Sequence, residues 1–472
     1  MDITELTLTQ MMNLMGQRKL SPVELVDAYL QRIEVYDSKL HSYITVTHKE
    51  ARDAAIKAEK SIMDTGLSGP LHGLPLAVKD QFETRGILTT AGSRMLSDYI
   101  PSNNATVIDR CIEAGAILLG KLNMTAFATG GGDPYQYGNP PRNPWDLERD
   151  PGSSSSGSGI AIAASLCAMS LGEDTIGSIR GPASANGIVG LRPTWGRVSR
   201  FGMIPACWSM DTGGPMAATV EDVAIMLRVI AGYDSRDPQT SRMSIPNYQA
   251  ALSTDLNGLR IGILTEYMDD GLVDMDVKQA VSSAYKHFEM LGANIEEISF
   301  PLLINLGPEC AVISLSDAGY LHRNWLTNRA NEYGPNTRRT LLLGNLFTSQ
   351  MIQKAIRIRE VFVREWLKLF DKFDLLVSPT DLSKTKRLEF SESIMYPVDA
   401  AERFKNSIGT AMPASLAGTP AMSVPCGFDS NNMPVGLQIM GSHFQEEIVL
   451  KAGYAYEQTT RWHLQKATSY KS

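Results

Sequence analysis

Three polar residues, Lys79, Ser154 and Ser178, have local sequence settings in which they could carry out acid–base and nucleophilic chemistry. Lys79 ends the apolar run LPLAVK, Ser154 lies in the stretch PGSSSSGSG, and Ser178 follows a glycine in GEDTIGSIRGP. Burial disfavours the ammonium form of a lysine, so its pKa falls and the neutral amine can act as a base. A serine in a tight loop can expose its hydroxyl while backbone N–H groups of the loop point toward a developing oxyanion.

Two of these residues also have a simpler interpretation. Lys79 beside Asp80 is typical of a solvated ion pair, and a serine run flanked by glycines is typical of a flexible linker. However, the small apolar segment IAIAASLCAMSL follows the serine run directly, which favours a loop that enters a buried helix. A serine hydroxyl at that point could relay a proton between a lysine and a second serine.

Other catalytic and nucleotide-binding motifs are incomplete. GAILLGKL has the lettering of a phosphate-binding loop, but its centre is apolar and Leu122 stands where a Mg²⁺-binding Ser or Thr is needed. Ser283 and Lys286 match SxxK inside a helical pattern, without the companion SDN and KTG motifs, and no GxSxG is present. The seven histidines are scattered singly, so the sequence predicts no metal site and no cofactor.

Taken together, the segments resemble the amidase signature family. The likeness rests on GLPLAVKD, PGSSSSGSGIAIAASL and LGEDTIGSIRGPASANGIVGLRPTWGRVSRFG. The separations between Lys79, Ser154 and Ser178 agree with the family's pattern. The likeness continues through TGGPMAATVEDVAIMLRVIAGYD to PASLAGTPAMSVPCGF and PVGLQIMG, and is weakest at about 235–400.

The resemblance implies a Ser-Ser-Lys triad. Ser178 is expected to be the nucleophile, Ser154 the proton relay and Lys79 the base. The family's cis peptide bond would fall between Ser153 and Ser154. The oxyanion donors would be the backbone N–H groups of Thr175, Ile176, Gly177 and Ser178, and the residues supporting the loops would be Ser155, Asp174 and Arg180.

The chain departs from the family at both loops. The family usually reads GGSSGGS, where this chain has GSSSSGS, and Ile176 replaces the first of two glycines before the nucleophile. A β-branched residue is comfortable only at negative φ, and its side chain is expected to enter the acyl pocket. The other residues predicted to bind substrate are Thr129, Gly130, Cys207 and Met412.

The kind of amide is less well defined by the sequence. RNPWDLERDPG and GRVSRFG resemble a family branch, the amidase subunit of glutamyl-tRNA amidotransferase, which passes ammonia from glutamine to a partner. That branch has an acidic residue before a TIPVNLAG-like segment, whereas the matching stretch of this chain, SIGTAMP, contains no acid. The branch also has a tyrosine in GRVSRYG at the position where this chain has Phe201. The favoured prediction is therefore a stand-alone hydrolase of small amides, anilides or carbamates. The alternatives are an inactive binding relative and the glutamine-hydrolysing subunit.

The elements that must position these residues alternate between helices and short apolar strands. Ser21 and Pro22 begin a helix, AILLGKLN and DLLVSP read as strands, and Thr219 begins another helix. This alternation predicts an α/β fold with a mixed central sheet covered by helices on both faces. We expect one domain over 1–472, made of N-terminal helices (1–65), a core (66–234 and 374–472) and a peripheral insertion (235–373).

The composition excludes some classes of partner. The net charge of −7 indicates no basic surface, so neither direct nucleic-acid binding nor membrane binding is predicted. The expected partner is a small-molecule amide, with a homodimer left open. The five cysteines form no CxxC, and the N-terminus lacks the pattern of a signal peptide, so a reducing, cytoplasmic location is expected.

Overall fold

A computed structural model describes residues 2–129, 137–388 and 409–471, and one mixed sheet runs through them. Its eleven strands lie in the order β1-β3-β2-β4-β6-β5-β10-β11-β9-β7-β8. The strands are β1 (Tyr43–Val46), β2 (Pro75–Lys79), β3 (Ile117–Leu122), β4 (Met169–Asp174), β5 (Val189–Arg192), β6 (Thr212–Ala217), β7 (Arg260–Leu264), β8 (Asn294–Ile298), β9 (Leu375–Pro379), β10 (Ala421–Phe428) and β11 (Pro434–Met440).

Helices cover both faces of this sheet, which confirms the predicted α/β fold. They are α1 (Leu8–Gly16), α2 (Pro22–Leu40), α3 (His48–Thr65), α4 (Thr106–Glu113), α5 (Ser156–Ala163), α6 (Arg180–Asn186), α7 (Val220–Ile230), α8 (Met275–Met290), α9 (Leu306–Leu321), α10 (Arg323–Asn328), α11 (Pro335–Gly344), α12 (Ser349–Lys372), α13 (Met412–Ala417) and α14 (Glu446–Thr459). No helix in these ranges is long and apolar enough to cross a bilayer.

Capping residues explain where two of the predicted helices begin. The hydroxyl of Ser21 accepts hydrogen bonds from the N–H groups of Val23 and Glu24, and Pro22 occupies the first turn of α2. Thr219 caps α7 by accepting from the N–H of Asp222 at 3.2 Å. Both sequence signals therefore correspond to helix starts in the structure.

The directions of the central strands place three strand ends side by side at the same end of the sheet. Strand β2 runs parallel to β4, with Val78 opposite Leu171. Strand β6 runs antiparallel to β4, with Asp174 opposite Thr212. The end of β2, the end of β4 and the start of β6 therefore lie side by side, and the polar residues at these positions meet.

The segment expected as a peripheral insertion also extends the sheet. Strand β7 pairs in parallel with β8 and with β9, so residues 260–298 form one end of the central sheet. After β8 the chain is mainly helical, from α9 to α12. A second hydrophobic cluster, which includes Leu306, Phe362 and Trp366, joins these helices to the residues around Met412.

Candidate active site

Lys79 lies at the end of β2, fully buried, and its Nζ has two side-chain partners. Nζ is 2.7 Å from Oγ of Ser154 and 2.8 Å from Oε2 of Glu173. Burial lowers the pKa of Lys79, and the carboxylate of Glu173 opposes that shift. The interpretation of Lys79 as a solvated surface ion pair with Asp80 is wrong. The carboxylate of Asp80 instead pairs with Lys121 at 3.1 Å, and both of those side chains are buried.

The serine-rich loop is ordered by contacts with β4 and leads directly into α5. Oγ of Ser155 donates to the carbonyl of Glu173 at 3.0 Å, and the N–H of Ser155 donates to the carbonyl of Ser178 at 3.2 Å. Ser154 and Ser155 are both buried. The loop is therefore part of the packed core rather than a flexible linker.

The peptide bond between Ser153 and Ser154 differs from the expectation. The described residues contain no cis peptide bond, so this bond is trans. A trans bond before a residue other than proline is favoured by about 2.5–4 kcal/mol. With the trans bond, Oγ of Ser154 still reaches Nζ of Lys79 at hydrogen-bond distance.

Ser178 lies between the end of β4 and the start of α6, beside the serine loop. The residue is buried, with 7% of its surface exposed. Among the described residues, Oγ of Ser178 makes no hydrogen bond with Ser154 or with any other group. The structure thus brings Lys79 and Ser154 together directly, and joins Ser178 to them through the backbone contact of Ser155.

The four predicted oxyanion donors do not have equivalent surroundings. The N–H of Gly177 donates to Oδ1 of Asp174 at 2.7 Å, so it is already occupied. The N–H groups of Thr175, Ile176 and Ser178 have no acceptor in the part of the chain that the structure describes. These three remain available for an oxyanion, whereas the expectation for Gly177 is not met because a charged acceptor holds its N–H.

Asp174 and Arg180 fix the shape of the nucleophile loop. Asp174 is buried and accepts from Nε and Nη2 of Arg180, both at 3.0 Å, and pairs with Arg192 at 3.1 Å. Burial alone would raise the pKa of Asp174, but the two guanidinium groups hold it well below its usual range. Arg180 also donates to Gln438 on β11 at 2.6 Å, which ties the loop to the sheet.

Three residues predicted to form the acyl pocket share one apolar cluster. Cys207 and Met412 are buried in it, and the half-buried side chain of Ile176 packs against it. Met412 begins α13 next to Ala411, whose Cβ faces the Gly177 backbone. An apolar wall therefore adjoins the nucleophile loop.

The remaining predicted substrate-binding residues are Thr129 and Gly130. Thr129 is half-buried at the end of a short turn, where Oγ1 donates to the carbonyl of Ala126 at 3.4 Å. Gly130 lies outside the described residues, as do Ser407 and Ile408 of the SIGTAMP segment. No cluster of metal-ligating side chains occurs within the described ranges.

Glu173 and Asp211, which were not predicted from the sequence, both lie at the site. Glu173 contacts Lys79, and Oδ1 of Asp211 lies 2.7 Å from Oγ1 of Thr175. One signal was available, because a lysine predicted to be buried requires a buried counter-charge. The acid that could supply it, in the strand MSLGED, directly precedes the nucleophile loop.

The chain matches known proteins over almost its full length. A family model described as Amidase matches residues 24–450. A protein of Desulfatibacillum aliphaticivorans, named as a subunit of glutamyl-tRNA(Gln) amidotransferase, is 36% identical, with 99% of each chain covered. The solved structure of the corresponding subunit from Thermotoga maritima has a TM-score of 0.81 at 30% identity, covering 98% of this chain and 96% of that chain.

A second solved structure belongs to a study of a protein complex. It was described as an unexpected vestigial protein complex that reveals the evolutionary origins of an s-triazine catabolic enzyme. That chain has a TM-score of 0.88 at 31% identity, with 96% of this chain and 98% of that chain covered.

These relatives correct two predictions. The stand-alone amidase was the wrong choice, because relatives similar over their whole length are named as one subunit of an amidotransferase. The expectation of a small-molecule amide as partner, with at most a second copy of the chain, is wrong for the same reason. The sequence difference in the SIGTAMP segment does not outweigh this full-length similarity. The family model, the full-length relatives and the buried lysine and serine side chains all agree that this chain is a member of the amidase family, hydrolases of carbon–nitrogen bonds.

Proposed function

We propose that the chain is the glutamine-hydrolysing subunit of a glutamyl-tRNA(Gln) amidotransferase. The proposal rests on similarity to proteins named as one subunit of that enzyme, which covers nearly all of this chain and nearly all of each relative. The partners would be the other subunits of the assembly, and aminoacylated tRNA would be bound by the assembly. This function places the protein in the cytoplasm, where tRNA is charged.

Hydrolysis would begin with a proton transfer along the triad. Neutral Lys79 accepts a proton from Oγ of Ser154, which accepts one from Oγ of Ser178. Ser178 then forms a bond to the amide carbon, and the carbon–nitrogen bond breaks as the proton returns to the leaving nitrogen. Water adds to the acyl-enzyme, releasing the carboxylic acid and restoring Ser178.

The relay requires a hydrogen bond between Oγ of Ser154 and Oγ of Ser178. Catalytic hydrogen bonds of unliganded enzymes are often long and form fully only in the substrate complex. We therefore assign formation of this bond to substrate binding. The N–H groups of Thr175, Ile176 and Ser178 would then stabilise the oxyanion, an effect of about 3–4 kcal/mol for each donor in comparable sites.

Ammonia release from glutamine by the purified chain tests the proposal, with and without the other amidotransferase subunits of its source organism. Glutamine hydrolysis that needs Ser178, and that increases when the partners and glutamyl-tRNA(Gln) are added, is the expected result. Ser178→Ala should abolish it, and Ser283→Ala, on the exposed side of α8, is the matched control. Turnover of other amides with no glutamine hydrolysis in the complete assembly would overturn the proposal.

Reaction with a fluorophosphonate probe addresses the inactive alternative separately. Labelling at Ser178 in the native chain, lost in Ser178→Ala, would exclude an inactive binding relative. Absence of labelling in a folded native chain would favour that alternative.

A further inference from the structure

A line of buried polar side chains continues from the triad into the protein interior. Oε2 of Glu173 lies 2.8 Å from Nζ of Lys79, and its other oxygen, Oε1, lies 2.6 Å from Oγ1 of Thr175. Oγ1 of Thr175 also lies 2.7 Å from Oδ1 of Asp211. The line thus joins Ser154, Lys79, Glu173, Thr175 and Asp211 through hydrogen-bond distances.

The single hydroxyl proton of Thr175 cannot supply a hydrogen bond to both of its carboxylate neighbours. Its hydroxyl carries one proton, yet it contacts a carboxylate oxygen on each side at 2.6 and 2.7 Å. A carboxylate can only accept a hydrogen bond, whereas a protonated carboxyl group can donate one. Both contacts are hydrogen bonds only if Glu173 or Asp211 holds a proton.

Because these residues are buried, an added proton that removes their net charge stabilises the group. Lys79 and Glu173 have no exposed side-chain surface, and Asp211 is 1% exposed. With all three ionised, the group would carry a net negative charge in a setting where an uncompensated charge is costly. One added proton makes the group neutral.

The surroundings of Asp211 favour placing the proton there. Burial raises the pKa of Asp211 to about 7, and the charge of Glu173 contributes to that shift. Its Oδ2 accepts from the N–H groups of Ala206 at 2.8 Å and Cys207 at 2.9 Å, and the Cys207 N–H also lies 2.9 Å from Oδ1. A proton on Oδ1 would be donated to Oγ1 of Thr175, the side-chain oxygen nearest to it. The titratable and charged groups near Asp211 and Lys79 are Glu173 and Asp174 on β4, Arg192 on β5 and the Cys207 thiol. Asp317 on α9 lies beyond them, where it contacts Trp208 and neighbours Cys207.

We propose that Glu173, Thr175 and Asp211 form a proton-sharing chain that sets the charge of Lys79 and hence the pH range in which Ser178 is nucleophilic. In this proton-sharing chain the side chains of all three are positioning groups, because they act through Lys79; the oxyanion role proposed for Thr175 belongs to its backbone N–H. The inference rests on the Ser178 triad of the proposed function but does not depend on glutamine as the substrate.

The direction of the coupling follows from charge. When Asp211 loses its proton, a second negative charge near Lys79 favours the ammonium form, which cannot accept a proton from Ser154. A neutral residue at position 211 should let Lys79 lose its proton at lower pH. A neutral residue at position 173 should have a larger effect of the same sign, because Glu173 contacts Nζ directly.

The test is the rate of fluorophosphonate reaction with Ser178 from about pH 5 to pH 10 in the full-length chain. We expect the midpoint of the rising limb to move down by about one pH unit in Asp211→Asn, and further in Glu173→Gln. Thr175→Ser keeps the hydroxyl and should keep the native midpoint, whereas Thr175→Val should move it. Asp317→Asn is the matched control, since this half-buried acid lies near Cys207 but outside the line, and its midpoint should equal the native one.

A purely structural role predicts a different result, namely slower labelling at every pH with an unchanged midpoint. That result in Glu173→Gln and Asp211→Asn would overturn the inference. If Asp211→Asn does not fold, the Thr175→Ser and Thr175→Val pair decides, and equal midpoints in that pair overturn it. A native chain that is not labelled at any pH would overturn the triad and this inference together. Labelling with the expected shifts but no glutamine hydrolysis would overturn only the proposed substrate.

Discussion

The backbone N–H of Gly177 donates to Oδ1 of Asp174 at 2.7 Å, directly before the candidate nucleophile. The same carboxylate is held by Arg180 and Arg192, so the loop is anchored to a buried charge cluster. A hydrogen bond to a charged acceptor is about twice as strong as one between neutral groups. The conformation that presents the N–H groups of Thr175 and Ile176 therefore depends on Asp174.

Asp174→Asn should destabilise both the fold and the loop. It leaves the guanidinium groups of Arg180 and Arg192 buried without a counter-charge, a change that typically costs about 3–5 kcal/mol. Urea denaturation of the variant and the native chain measures the loss. Asp146→Asn, at a half-exposed carboxylate, is the control and should change stability by less than about 1 kcal/mol. A loss that small in Asp174→Asn would contradict the anchoring role.

Gly177→Ala should slow the reaction of Ser178 by at least about tenfold. Gly177 has φ of +91°, where a side chain costs on the order of 1–3 kcal/mol. A Cβ there would also lie 2.7 Å from Cβ of Ala411. The double variant with Ala411→Gly removes the contact but keeps the backbone strain, so it should recover only part of the rate. Full recovery would show that the contact alone matters.

Ile176→Gly should broaden the range of acyl groups that the enzyme accepts. The half-buried Ile176 packs against the apolar cluster that contains Cys207 and Met412, so its removal enlarges the space beside Ser178. The measurement is the ratio of kcat/KM for amides with bulky and short acyl groups. Ile112→Gly, at an exposed position on α4, is the control. An unchanged ratio in Ile176→Gly would place its side chain away from the acyl group.

Stability should fall as pH rises, in part because of Asp222 on α7. Burial raises the pKa of Asp222 from 3.8 to about 7, while its carboxylate accepts from the N–H of Leu8 at 3.0 Å. A folded-state pKa above the unfolded value means that the folded chain binds more protons between these two pH values. The stabilisation is therefore present below about pH 4 and is lost as pH rises through about 7.

Asp222→Asn should remove the contribution of this carboxyl group to the pH dependence of stability. Relative to the variant, the native chain should lose about 2–3 kcal/mol of unfolding free energy between pH 5 and pH 8, measured by urea denaturation. Part of the pH dependence should remain, because burial also raises the pKa of Glu457 to about 8. Glu221→Gln, at the half-buried neighbouring carboxylate, is the control. Parallel pH profiles for the native chain and Asp222→Asn would refute the assignment.

The sequence by itself predicted the fold class from its alternating helices and apolar strands. Local features drew attention to Lys79, Ser154 and Ser178, and the resemblance to the amidase signature family gave these residues their expected roles. The cap residues Ser21 and Thr219 were also readable, because a cap acts on the residues just after it. The kind of amide was not readable, and the SIGTAMP segment led the prediction away from the amidotransferase branch.

Tertiary structure alone decided which partners surround the triad. Glu173 meets Lys79 because β2 and β4 are parallel neighbours, and Asp211 meets Thr175 because β6 returns antiparallel to β4. It also decided that Asp174 occupies the N–H of Gly177 and that the bond before Ser154 is trans. Spacing along a chain records distance in residues, whereas hydrogen bonds and charge coupling depend on distance in space. Strand order and direction, which are set by packing across the whole sheet, determine which residues distant along the chain are close in space.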